Sequence, residues 1–570
     1  MSRLGNRRRL DILRVNDNVQ RTERRRRMPD PSLYPDPFAR DHLPARGLWP
    51  DLSAAMSGRY AYSKVMNATA ELLDRAVAQG HGARYSLHAA EGSWTYAQLL
   101  DAVNRIANVL VRDLGLVPGN RVLLRAPNNP MLAACWLAVV KAGGIVVATM
   151  PLLRAAELGH MLDKARIRLA LCDARLVEAL DEACAARAHV RTVRFGTDAA
   201  DGLEARMAQQ SGDFAPFMAS HDDVALIAFT SGTTGSAKAT MHFHRDLIAS
   251  CDAFAGPVLK AAPHDVFAGS APFAFTFGLG ALLLFPLRFA ASAVLLEKAM
   301  PESLLEAMAR HRATIAFTVP TLYRAMTPLA GNHDLASLRT CVSSGEHLPP
   351  SVYEGWRQAT GLTLMNSIGS TEMLHAFLAM PPGEDRPNAV GRPLPGFSAM
   401  VVDDAMKEVP PGQIGRLAVR GPTGCRYLGD DERQKTYVRA GWNLTGDAFY
   451  ADADGYFCYH ARTDDMIVSA GYNISGAEVE EALLQHPAVR ECAVVGTPDP
   501  ARGHIVAAFV ILHDPQTGND EQRRALQDFV KSRLAPYKYP RIVEFLDALP
   551  RTSSGKIQRH VLRARSEGVA

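Results

Sequence analysis

Residues 229 to 240 read FTSGTTGSAKAT, a cluster of hydroxyls and glycines with one lysine, directly after the apolar run VALIA. A strand leading into a turn rich in Gly, Ser and Thr, and then a helix, offers an anion backbone N–H groups, hydroxyls and a helix N-terminus. Residues 230 to 238 fit that description, and Lys238 adds a positive charge. The spacing excludes a Walker A loop, which needs GxxxxGK followed by Ser or Thr. Here Lys238 follows Gly235 by three residues and precedes Ala239. A second lysine, Lys556, stands in PRTSSGKIQR near the other end of the chain. The chain carries only 11 Lys against 52 Arg, so a generic surface cation here is normally Arg. Lysine at 238 and 556 therefore argues against filler, since a compact ammonium is a point donor that a planar guanidinium does not replace equally well.

Four further segments join these two: SSGEHLP (343 to 349), IGSTEMLH (368 to 375), LTGD (444 to 447) and ARTDDMIVSAG (461 to 471). In order and spacing the six resemble the acyl- and aryl-CoA synthetases of the adenylate-forming superfamily, and the resemblance runs from about residue 60 to the C-terminus. The chemistry gives a reason for these residue types. A carboxylate is a poor electrophile, so joining it to a thiol needs a better leaving group, which transfer to the α-phosphate of ATP supplies. An anion must then attack an anion, and the site needs hydroxyl and N–H donors, a divalent cation and a lysine where charge develops.

The resemblance assigns Thr230, Ser231, Gly232, Thr233, Thr234, Gly235 and Lys238 to the β- and γ-phosphates. It makes Glu372 the carboxylate that helps hold Mg²⁺ and Thr371 a donor to the α-phosphate. Gly345 and Glu346 would line the adenine and acyl pocket, Asn366 would bond the adenine amino group, and Ile368 and Gly369 would lie against the base. Asp447 would accept from both ribose hydroxyls, with Arg462 beside ribose and phosphate. Lys556 would be the adenylating lysine. Asp464 matches the hinge about which the small domain rotates to present its other face to CoA, and Gly471 and Tyr472 would line the pantetheine path.

The acid is less directly written. In APFAFTFGLG, Phe273, Phe275 and Phe277 are spaced by two, which predicts one face turned inward and one outward. An aromatic gate with no second cation points to an apolar or aromatic monocarboxylate. IGSTEMLH and the stretches 104 to 125 and 141 to 158 resemble benzoate-CoA and 2-aminobenzoate-CoA ligases, and SAGYNISGAEVE is nearer the 2-aminobenzoate type. His375 falls near the acyl pocket, equally suited to a structural role and to a substrate contact. A medium-chain or branched acyl-CoA ligase, a carrier-protein loader and a catalytically silent binding relative stay open.

The elements that must position these groups read as α/β. Helical stretches alternate with short apolar strands such as RVLLRA and IVVATM, the pattern of parallel sheets covered on both faces. After about Asn388 shorter strands and tight turns predict a β-rich subdomain, and beyond Asp464 a small, mobile α+β domain begins. In it Ser475 and Glu478 have capping-box spacing. The expected division is 1 to 28, an Arg-rich tail or upstream extension with Met28 as an alternative start; 29 to 463, the large adenylation domain; and 464 to 570, the domain with Lys556. Pro-rich residues 29 to 60 read as a lead-in draped over the surface.

Residues 1 to 27 hold ten Arg against three acids, which leaves the rest of the chain slightly acidic despite a formal charge of +4. That argues against a nucleic-acid partner, and no apolar run suits a membrane span. Eight Cys without paired spacing suggest neither zinc nor a disulfide framework and fit a reducing cytoplasm. The expected partners are an aromatic carboxylate, ATP and CoA, acting on a monomer or homodimer.

Overall fold

The computed structural model describes residues 31–53, 58–230, 238–462, 467–469, 472–499, 502–534, 537–552 and 555–567. Two large sheets form the body. The first has six strands in the order Lys238–Phe243, Val224–Thr230, Ile145–Thr149, Arg121–Arg125, Leu169–Asp173 and Arg191–Phe195. All neighbours run parallel except the first pair. The inner strands are buried on both faces, so their sequences are continuous apolar runs such as RVLLR and IVVAT.

The second sheet has nine strands, with Leu364–Gly369, Thr340–Ser343, Ile315–Thr318, Val266–Gly269 and Ser292–Val294 as its parallel centre. Helices Tyr96–Asn108 and Pro130–Lys141 lie among the residues of the main core. Thr95 and Gln98 cap the first reciprocally, and Asn129 with Pro130 starts the second.

The β-rich subdomain is a five-stranded antiparallel sheet that includes Gly415–Arg420, Trp442–Ala451 and Phe457–Arg462. The small domain places Val489–Asp499 and Gly503–Leu512 against helices Gly476–Leu484 and Asp520–Arg533. Its expected capping box is half made. Ser475 accepts from the Glu478 N–H, whereas the Glu478 carboxylate goes to Lys538 at 2.6 and 2.8 Å.

The lead-in is more than a surface drape. Phe38 and Trp49 are buried in the second core, and the Tyr34 hydroxyl meets His244 Nε2 at 2.8 Å. No helix among the described residues is long and apolar enough to cross a membrane.

Candidate active site

The strands on either side of residues 231 to 237 pair antiparallel, which corrects the expectation that a helix follows the turn directly. Thr230 ends one strand, Lys238 begins the next, and the two residues are direct partners. Among the described residues, the next helix starts at His244. The cause is the alternation in KATMHF: Ala239, Met241 and Phe243 fill the second core, while Thr240 and His242 point the other way. The strand is also paired on its far side, where Met241 N–H donates to Arg426 O at 2.8 Å and Leu428 N–H to Ala239 O at 2.9 Å. Ser231, Gly232, Thr233, Thr234 and Gly235 lie outside the described residues.

Strand Leu364–Gly369 delivers the next group. Ser370 caps the short turn Thr371–Met373 by accepting from Met373 N–H at 3.2 Å, which leaves the Thr371 hydroxyl out of the cap. Leu374 then takes φ +72°, a conformation that costs a non-glycine residue strain and that recurs at functional sites. Glu372 is half-buried; its Oε1 accepts from the Tyr427 hydroxyl at 2.8 Å, and no described residue bonds its Oε2. A carboxylate with one oxygen left open among the described residues suits Mg²⁺, which keeps much of its water and binds through one or two carboxylates and substrate phosphates.

Asn366 donates to Ala389 O at 3.1 Å, which reserves its carbonyl oxygen as an acceptor. Gly345 has φ +88°, a backbone state glycine adopts freely. At Gly369 a Cβ would come within 2.5 Å of His375 O. Ile368 is half-exposed on its strand.

His375 is 5% exposed and enclosed by aromatic rings. The rings of Phe254, Phe277, Phe285 and Phe317 lie 4.6 to 6.3 Å from the imidazole. Burial pushes its pKa down to about 4, against a weaker opposing effect of the Phe277 backbone, so the ring is neutral at pH 7. Nε2 donates to Phe277 O at 3.3 Å, and Nδ1 has no partner among the described residues. Gly280 makes room for this ring, since a Cβ there would stand 2.4 Å from His375 Cδ2.

The APFAFTF stretch does not alternate as a strand. It is a turn running into the short helix Thr276–Leu279, with Phe273 in the core, Phe275 half-exposed at the helix start and Phe277 packed on Phe317.

Asp447 is buried in Trp442–Ala451 and pairs across the sheet with Arg462, whose side chain lies outside the described residues. Lys556 is exposed in a turn of the small domain closed by the Arg551–Ile557 bridge, with Gly555 at φ +85°. Thr552 N–H donates to Lys556 O at 2.7 Å, and Lys556 N–H to Thr552 Oγ1 at 3.1 Å. This turn faces the large domain: Arg551 feels the Glu346 carboxylate, and Arg559 lies close enough to His347 to help burial lower its pKa to about 4. Glu346, expected in the nucleotide and acyl pocket, has its carboxylate engaged by the Thr321 hydroxyl at 2.6 Å and by that interdomain field. Asp464 and Gly471 lie outside the described residues, as does the Tyr472 side chain; the Tyr472 backbone begins strand Tyr472–Ile474.

Sequence reasoning missed the segment 423 to 428. Thr423 donates to Met373 O at 2.7 Å, Tyr427 holds Glu372, and Arg426 forms a fully buried ion pair with Asp246. The one available signal was the run TGCRYLG itself, with two small residues, an Arg and a Tyr just ahead of an acidic helix start.

The AMP-binding enzyme family matches residues 73–427, and the AMP-binding enzyme C-terminal domain matches residues 478–556. The chain belongs to the AMP-binding enzymes. It is 35% identical to the benzoate–CoA ligase of Thauera aromatica, over 87% of this chain and 96% of that one. The solved anthranilate CoA ligase AuaEII, in complex with anthranoyl-AMP, superposes with a TM-score of 0.84 at 31% identity, covering 90% of this chain and 99% of that one. The mitochondrial acyl-coenzyme A synthetase ACSM3 of Mus musculus is 30% identical over 83% of this chain and 84% of its own. Within its family this chain is an AMP-forming carboxylate–CoA ligase that uses ATP and CoA.

Proposed function

We propose that this ligase activates an aromatic monocarboxylate of the benzoate or 2-aminobenzoate type. The observation that carries the reading is the ring of four phenylalanines around the neutral, buried His375. An acid seated against these rings would be flat and apolar, and none of the five side chains offers a cation to a second carboxylate. In the first half-reaction a carboxylate oxygen attacks the α-phosphorus of ATP and the bond to pyrophosphate breaks. Lys556 donates at the α-phosphate, and Thr230, Lys238 and the 231 to 235 loop hold the leaving pyrophosphate. Thr371 donates to the α-phosphate, Asp447 holds the ribose, and Asn366 and Ile368 hold the adenine. Glu372 would hold Mg²⁺, which when bound neutralises phosphate charge. In the second half-reaction the CoA thiolate attacks the acyl carbon and AMP leaves, after the small domain turns about Asp464 and brings Gly471 and Tyr472 to the pantetheine.

Between the two acids we favour 2-aminobenzoate. With Nε2 donating to Phe277 O, Nδ1 of His375 is an acceptor, and a ring amino group is a donor that suits it. Free CoA thiol is followed while benzoate, 2-aminobenzoate, octanoate and acetate are offered in turn. The expected order places both aromatic acids first, and His375→Phe erases the preference for the amino acid over benzoate. Octanoate turning over fastest would replace the aromatic reading with the medium-chain one, for which the likeness to ACSM3 speaks. Adenylate formed without thiol consumption would indicate a carrier-protein loader.

A further inference from the structure

The cation-holding role of Glu372 is a reading of one residue; its surroundings go further. Tyr427 is 2% exposed. Its backbone N–H donates to Gln434 Oε1 at 2.9 Å, and buried Gln434 donates in turn to Leu48 O and Cys425 O. Tyr427 bridges to Thr240 on the strand that begins with Lys238. The same segment is fixed by the buried Arg426–Asp246 pair, with the Arg426 guanidinium 3.8 Å from the Phe243 ring centroid, and it reaches the Glu372 turn a second time through Thr423. On the far side the Tyr437 ring stands edge-on to Tyr427 at 5.8 Å, and its hydroxyl lies 3.4 Å from Ser370 Oγ. The phenol that meets Glu372 is therefore held by the same framework that carries Lys238.

We propose that Tyr427 is a positioning residue for the metal carboxylate: its hydroxyl occupies Glu372 Oε1 and turns Oε2 toward the nucleotide's divalent cation, tying that cation's site to the Lys238 strand. The proposal rests on the reading of Glu372 as the cation's carboxylate. A partner of this kind orients a ligand oxygen without touching metal or substrate, and its loss typically costs about 10- to 100-fold in metal affinity.

The test uses the full chain and four proteins: wild type, Tyr427→Phe, Glu372→Gln and the double variant. Calorimetry measures ATP binding without acid, once with Mg²⁺ and once with EDTA, and pyrophosphate exchange is titrated with Mg²⁺. Tyr427→Phe is expected to weaken Mg·ATP binding by about 10-fold, to leave metal-free ATP binding unchanged, and to raise the Mg²⁺ concentration for half-maximal exchange while the rate at saturating Mg²⁺ recovers. In the Glu372→Gln background the tyrosine change should add nothing. Equal losses with and without Mg²⁺ would make Tyr427 a packing residue and overturn the proposal, as would unchanged Mg·ATP binding in Tyr427→Phe beside a loss in Glu372→Gln. Unchanged metal dependence in Glu372→Gln would overturn the reading of Glu372, and the proposal with it.

Discussion

Lys238 and Lys556 are carried by opposite kinds of structure. Lys238 opens a strand bonded on both edges, against Val224–Thr230 on one side and residues 426 to 428 on the other. Behind it lie a core face of Ala239, Met241 and Phe243 and the buried Arg426–Asp246 pair. Lys556 sits exposed in a short turn held by Thr552, in a domain that meets the large one through polar groups: Arg551 toward Glu346, and Arg559 toward His347. A charge that must stay put is set in a sheet. On the proposed reading, a charge that must arrive and leave is set on a domain that meets the large one through polar and charged groups that water can replace. The two should therefore respond differently to substitution, one through stability and the other through rate.

The largest effect is expected beneath Lys238. Arg426→Met leaves Asp246 buried without its partner and should lower the unfolding free energy by about 3–5 kcal/mol, read by urea denaturation; a loss under about 1 kcal/mol would mean the pair does not hold the strand. Next comes Lys556→Ala. It should slow acyl-adenylate formation by roughly 10²–10³-fold with the melting temperature unchanged and thioester formation from supplied adenylate intact, and equal loss of both half-reactions would erase the contrast.

A third effect concerns acid. Burial lowers the pKa of His242, on the Lys238 strand, to about 3 and that of His375 to about 4, while the ordinary value is 6.5. The unfolded chain then takes up protons that the folded one refuses. Stability is full above pH 6.5 and declines as pH falls from there toward 4. His375→Asn should flatten that slope, as seen in denaturation curves across this range; an unaltered slope would assign the acid loss elsewhere. The smallest effect is at Ala239, whose Cβ enters the core. Ala239→Gly should cost roughly 0.5–1 kcal/mol with adenylation preserved, and a gain in stability would show that a glycine belongs there.

Much of the candidate site was legible in the sequence as a proposal, because phosphate chemistry demands particular residue types close together in the chain. The six segments announce themselves that way, and so did the parallel sheets, whose strands are uninterrupted apolar runs. The strand after Lys238 was hidden because KATMHF is only six residues long and runs without a break into the helix His244–Ser250. Its strand character comes from two partners, one of them nearly 200 residues away. Tyr427 was hidden for the same reason. It lies 55 residues from Glu372, and no local spacing relates a phenol to a carboxylate at that distance. The Ser475 and Glu478 spacing was visible, yet Lys538, far along the chain, claimed the carboxylate.

With the acid seated against His375, as proposed above, Gly280 gives its enclosure an adjustable wall. A side chain at that position would press on the imidazole of His375 and drive the ring toward the volume an acid must occupy. On that reading pocket depth is set from behind, by a missing methyl group that never meets the substrate, and bulk added at 280 should trim the accepted acids by size while nucleotide binding stays as it is.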